Sequence, residues 1–163
     1  EGDDTAPGRT GGLRGRKRDL YEGGVRVPGL LVWPDRVKAA RTITMPCSTS
    51  DYFPTVMEAL GHRIPEMDAR PYDGVSLLPL IDGAMTERPR PIAFESKGSI
   101  ALIDNRYKII YNPGGDYELY DIVEDAGEQH DIAADHPDIV KKMQAALDTW
   151  RSSCSNSLKG DDY

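Results

Sequence analysis

The chain has 163 residues, 39% of them apolar, and a formal net charge of −7. That size and composition are enough for a packed core, and no apolar run approaches the roughly 20 residues a membrane helix needs. An acidic chain also argues against nucleic acid as the main partner, because displacing counterions from a phosphate backbone requires a basic face.

The first residues, Glu1-Gly2-Asp3-Asp4, show neither an initiator Met nor a signal-like apolar stretch. The expectation is a C-terminal piece of a longer protein, with any targeting signal out of view. Residues 1–24 are rich in glycine and charge and read as a loop. Within it, Arg14, Arg16, Lys17 and Arg18 cluster against the sign of the whole chain. Pattern alone leaves two readings open, a solvated basic turn or a loop that holds an oxyanion at the end of a buried strand.

Gly23-Gly24 and Pro34 bound the run Val25 to Trp33, whose near-continuous apolar half, Leu30 to Trp33, predicts a strand buried on both faces of an α/β sheet. Phe53, Val56, Met57 and Leu60 repeat at helical spacing from Asp51, the expected N-cap, to Gly61, placed to end the helix. Residues 63–83, punctuated by Pro65, Pro71, Gly74 and Pro79, read as a connection crossing the surface. After about residue 86 the texture changes to short strands, Ile92–Glu95, Ser99–Ile103, Tyr107–Tyr111 and Tyr117–Tyr120. Asp104-Asn105 and Asn112-Pro113-Gly114-Gly115 separate them with turn chemistry, which predicts an antiparallel meander. Pro137 opens a helix whose stripe Val140, Met143, Leu147 and Trp150 is to cover that sheet. Residues 152–163 read as a loose polar tail.

Other candidate sites are weak. His62, His130 and His136 lack metal-ligand spacing, and the acids of Asp121 to Asp131 lack the alternation of a calcium loop, so they read as a turn with capping carboxylates. Cys47 and Cys154 form no C-x-x-C pair, and no base stands at a recognisable spacing from Cys47, which reads instead as a thiol flanking a helix.

Taken in order, LRGRKRDLYEGGVRVPGLLVWPDRV, STSDYFPTVMEALG, DGVSLLPLIDG and YELYDIVEDAGEQHDIA resemble the C-terminal third of the sulfatase family, over about residues 9–151. The specific part is the block K-x-x-x-x-E-G-G-x-R-x-P, which begins at Lys17. The resemblance implies an α/β fold in which residues 1–85 close an alkaline-phosphatase-like α/β/α sandwich. Residues 86–151 then form a small C-terminal domain, a four-stranded antiparallel sheet packed against one helix. It implies sulfuric ester hydrolysis by the full-length parent, with Lys17 binding the sulfate ester and stabilising transition-state charge, and Arg14 a second candidate near the entrance. Calcium or magnesium and a formylglycine nucleophile are implied as well, but the C-x-P-S-R-like motif is absent and the metal ligands map upstream of Glu1. The chain alone is therefore expected to be inactive. Its implied partners are sulfated small molecules or polysaccharides, with no nucleic acid, and its implied location is periplasmic or secreted. The alternatives are a non-catalytic polyanion-binding module and a phosphonate or phosphodiester hydrolase of the same superfamily.

Overall fold

The computed structural model describes residues 9–62 and 72–161. Its centre is an antiparallel meander in the order β1-β2-β3-β4, formed by Ile92–Ser96, Ser99–Asp104, Tyr107–Tyr111 and Tyr117–Asp121. The expected strands are recovered to within a residue at each end. Local chemistry accounts for this, since side chains alternate with period two and the connecting turns carry residues that accept positive φ. Asn105 takes φ +46° between β2 and β3, and Gly114 takes φ +86° between β3 and β4.

The two faces of the sheet are covered differently. On one face Ile100, Leu102, Ile109 and Leu119 pack against Met143 and Leu147 of the helix Pro137–Lys159, α4, with Val140 and Trp150 beside them, as the stripe predicts. Helix α4 runs from Pro137 to Lys159 and ends at Gly160, φ +80°, in the left-handed region. Residues 152–159, expected as a loose tail, therefore continue the helix. Their polarity reflects their largely solvent-exposed setting, which a helix tolerates once its earlier turns are anchored.

On the opposite face Ala101, Ile110 and Tyr120 pack against Leu20 of the N-terminal loop, with Tyr21, Val25 and Phe94 beside them. The loop enters a single helical turn, α1, Glu22–Val25.

The expected buried strand at Leu30–Trp33 does not form. The segment pairs with no described strand, and Leu30 is 91% and Val32 75% exposed. Apolar composition records a tendency towards burial, whereas a strand also requires a neighbour to complete its hydrogen-bond ladder.

The helix expected from Asp51 begins earlier, as a short 3₁₀ turn, Thr49–Asp51, and continues as α2, Tyr52–Ala59. Ser48 and Asp51 form a reciprocal capping box, so Asp51 acts within the first turn and Ser48 is the cap. Gly61 ends this stretch at φ +71° as expected. Phe53, Val56 and Leu60 of the expected stripe remain exposed, while Pro54 and Asp51 are the buried members.

Of the expected surface connection, residues 63–71 lie outside the described residues. The remainder is partly core: Val75, Leu78, Leu80 and Ile81 are buried, the last three in helix α3, Leu78–Ile81. The Val75 N–H donates to Asp51 Oδ1 at 2.8 Å, and the Leu77 N–H donates to Thr55 Oγ1 at 2.9 Å. Proline and glycine mark where this segment turns, but its leucines fill the space beside α2.

Candidate functional site

Lys17 and Arg18 occupy the centre of a tight turn closed at both ends. The Asp19 N–H donates to Arg16 O at 2.9 Å, and the Arg16 N–H donates to Asp19 Oδ2 at 2.9 Å. Arg18 sits at φ +93°, a backbone conformation that favours glycine. Lys17 is exposed, at the solvent side of the turn.

Arg14, the second candidate, turns inwards. Its Nη1 donates to Tyr120 Oη at 2.6 Å, to Glu128 O at 3.2 Å and to Glu118 Oε2 at 3.4 Å, while Nη2 reaches Tyr21 Oη at 3.1 Å. The guanidinium also lies 3.9 Å from the Tyr21 ring centroid, a cation–π contact. Burial and the Glu118 carboxylate push the Tyr21 hydroxyl up to about 12, and they push Tyr120 up as well. Both phenols stay neutral, and each donates to Glu118. Arg14 is therefore a partly exposed bridge from the loop to β4, with both Nη groups engaged by protein acceptors.

The glutamate of E-G-G does related work on β3. Lys108 is fully buried, and its Nζ donates to Glu22 Oε1 at 2.9 Å. Glu128 Oε1 lies 2.9 Å from the same ammonium, as an ion contact rather than an aligned hydrogen bond. Glu128 Oε2 accepts the Glu22 backbone N–H at 2.6 Å. Burial pushes the Glu128 carboxyl above its ordinary range; Lys108 opposes the shift and the Glu22 charge adds to it.

The two glycines owe their place to space. A Cβ on Gly23 would lie 2.4 Å from Gly15 O, and one on Gly24 would lie 2.1 Å from Asp19 O. Neither has positive φ. Close backbone approach, rather than left-handed geometry, is what excludes a side chain there.

The basic cluster thus divides into an inward Arg14 and an outward Lys17–Arg18 tip. Glu22, Lys108 and Glu128 escaped sequence reasoning, because the partners are 86 and 106 residues from Glu22. The available signal was a lysine within the apolar strand YKIIY, where period-two alternation places it on the same face as Ile110.

The remaining candidates do not converge. Asp121, Asp125 and Asp131 cap nearby backbone N–H groups, as read from sequence. His62, His130 and His136 are exposed, and both cysteines are free and exposed. Among the described residues no three His, Cys, Asp or Glu side chains gather in a group suited to a metal ion, and no helix is long and apolar enough to cross a membrane.

The sequence and fold of this chain are matched by known proteins. The family model for the C-terminal region of N-sulphoglucosamine sulphohydrolase matches residues 15–153. The chain belongs to this sulfatase family. Among its relatives, human steryl-sulfatase is 43% identical over 76 residues, 47% of this chain and 13% of that protein. N-acetylgalactosamine-6-O-sulfatase of Bacteroides thetaiotaomicron is 27% identical over 154 residues, 85% of this chain and 30% of that one. The solved structure of Ps i-CgsB, 26% identical, superposes with a TM-score of 0.77 over 86% of this chain and 32% of that protein. The same protein has been solved in complex with k-i-k-neocarrahexaose. The chain therefore spans about a third or less of these relatives' length.

Proposed function

We propose that this chain is the C-terminal part of a sulfuric ester hydrolase that acts on sulfated saccharides, and that Lys17 binds the sulfate group undergoing cleavage. The observation that carries this reading is the placement of Lys17. It stands at the outward tip of a turn whose neighbouring cation, Arg14, is internally compensated. As the bond from sulfur to the leaving oxygen breaks, the sulfate oxygens and the leaving group gather negative charge. A fixed ammonium lowers the energy of that charge more in the transition state than in the ground state.

Calcium or magnesium, which family membership implies, does not fit the described residues. No suitable acidic or histidine group gathers among them, and the buried carboxylates are already engaged, Asp51 by Arg88 and both Glu22 and Glu128 by Lys108. In this reading the metal and the formylglycine nucleophile belong to residues outside this chain, which contributes binding charge and its placement. Residues 1–85 are the end of the catalytic α/β unit, and exposed Leu30, Val32, Phe53 and Leu60 are the surface expected to pack into it. A saccharide substrate is supported by the relatives aligned over most of the chain, and it suits a periplasmic or secreted location.

The test is kinetic. In the complete enzyme Lys17→Ala is expected to lower kcat on a sulfate ester by about 10²–10³, the scale of losing one preorganised oxyanion donor. Lys17→Arg restores only part, because a planar fork replaces a compact charge poorly. The 163-residue chain by itself is expected to show no turnover. Unchanged kcat in Lys17→Ala, or turnover by the chain alone above a heat-inactivated control, overturns the reading.

A further inference from the structure

We infer that Lys108 is a positioning residue for Lys17, and that the small C-terminal sheet serves as the platform that aims the sulfate-binding lysine. The inference rests on the role proposed for Lys17. The loop is held on both sides of that residue against one face of the sheet. Three residues before it, Arg14 reaches Glu118 and Tyr120 of β4. Five residues after it, Glu22 reaches Lys108 of β3, and its backbone N–H is gripped by Glu128.

The chemistry of the second tether argues for placement rather than adhesion. Leu20 already supplies an apolar seat against Ala101, Ile110 and Tyr120. Beside it the protein buries three charges, with Lys108 and Glu128 fully enclosed and Glu22 nearly so. Buried ion clusters are a costly source of stability, but they tolerate few alternative geometries, because every displacement leaves a charge unpaired. Two carboxylates that must both meet one ammonium define where the E-G-G turn lies. Gly23 and Gly24, packed without room for a Cβ against Arg14, Gly15 and Asp19 carbonyls, pass that constraint directly to the turn carrying Lys17. Misplacing a reacting group by about 1 Å can cost about 10²-fold in rate.

A double-mutant cycle on turnover of an aryl sulfate by the complete enzyme tests this. Lys108→Met, Lys17→Ala and their combination are compared, with Glu128→Gln in a parallel cycle because Lys108→Met leaves two buried carboxylates without their cation. Lys108→Met is expected to lower kcat about tenfold or more in the wild-type background, and to change it by less than about twofold once Lys17 is alanine. A residue that acts through Lys17 has nothing left to position when Lys17 is gone, whereas general damage multiplies in both backgrounds. Multiplying effects, or Lys108→Met within about twofold of wild type, overturn the inference while leaving Lys17 its role. If Lys17→Ala alone is without effect, the sulfate-binding reading falls and this inference falls with it. Should Lys108→Met not fold, the Glu128→Gln cycle decides by the same criterion.

Discussion

The carboxylate of Asp51 and the guanidinium of Arg88 meet in two parallel hydrogen bonds, each 2.7 Å long, with Arg88 98% and Asp51 fully shielded from solvent. The pair joins the 3₁₀ turn that leads into α2 to the segment that enters β1. Asn105, in the β2–β3 hairpin, then holds the Arg88 backbone from the other side, accepting its N–H at 2.8 Å and donating to its carbonyl at 3.1 Å. This junction attaches the α2–α3 region to the small sheet; Asp51 and Asn105 each carry a local cap or turn signal, but nothing in the sequence pairs them with Arg88.

Breaking the Asp51–Arg88 pair from one side should be severe. Arg88→Met leaves a buried carboxylate without its cation, and the expected loss is about 3–5 kcal/mol. Denaturant unfolding of the chain measures it. A loss under about 1 kcal/mol would mean that Asp51 regains water on losing Arg88, and that the junction is looser than its geometry indicates.

The same carboxylate sets an acid limit. Burial alone would raise the Asp51 carboxyl, but Arg88 and the N–H groups of Ser48 and Val75 outweigh it and hold it below the ordinary range. Its contribution is therefore complete above the unfolded value of about 3.9 and is lost as pH falls through the lower folded value. Glu128 runs the other way. Its folded value is raised, so its contribution is present below about 4.3 and is lost as pH rises through the folded value. Unfolding midpoints measured across the acid range should flatten on the acid side in Asp51→Asn and above pH about 4.3 in Glu128→Gln. Slopes identical to wild type would remove both groups from the linkage.

The covered face of the sheet gives a contrast within one helix. Leu147 is fully buried against β2, β3 and β4 residues, and Leu147→Ala is expected to cost about 2–5 kcal/mol. Lys141, exposed on the same helix, should change stability by less than about 0.5 kcal/mol when replaced by alanine. Equal losses at the two positions would show that the helix presents a different face to the sheet.

Arg18 offers a substitution expected to stabilise. Its φ of +93° costs an L-residue about 1–2 kcal/mol, while glycine adopts it freely and adds about 0.5–1 kcal/mol of unfolded-chain entropy to be lost on folding. Arg18→Gly should therefore gain about 0.5–1 kcal/mol, read as a raised thermal midpoint. A lowered midpoint would mean that the arginine side chain makes a compensating contact worth more than the strain.

How much of this was legible follows from the range of each signal. The four strands, the Asn105 turn and the α4 stripe were readable because alternation, turn residues and helical spacing act between residues a few positions apart. The E-G-G block carried the family resemblance for the same reason, as a contiguous motif. Leu30–Trp33 forms no strand in this chain, because hydrophobicity reports that a segment favours burial and is silent about which neighbour supplies it.

Local periodicity and adjacent residues were enough for the meander, for the first turns of α4 and for the family resemblance. Long-range packing is what brings Arg14 to β4 and Glu22 to Lys108. It alone decided that Asp51 meets Arg88 and that the two glycines are required by close backbone approach. Those outcomes depend on which distant side chains share a water-poor space, where an unpaired charge is too costly to leave and each partner is chosen by position rather than by pattern.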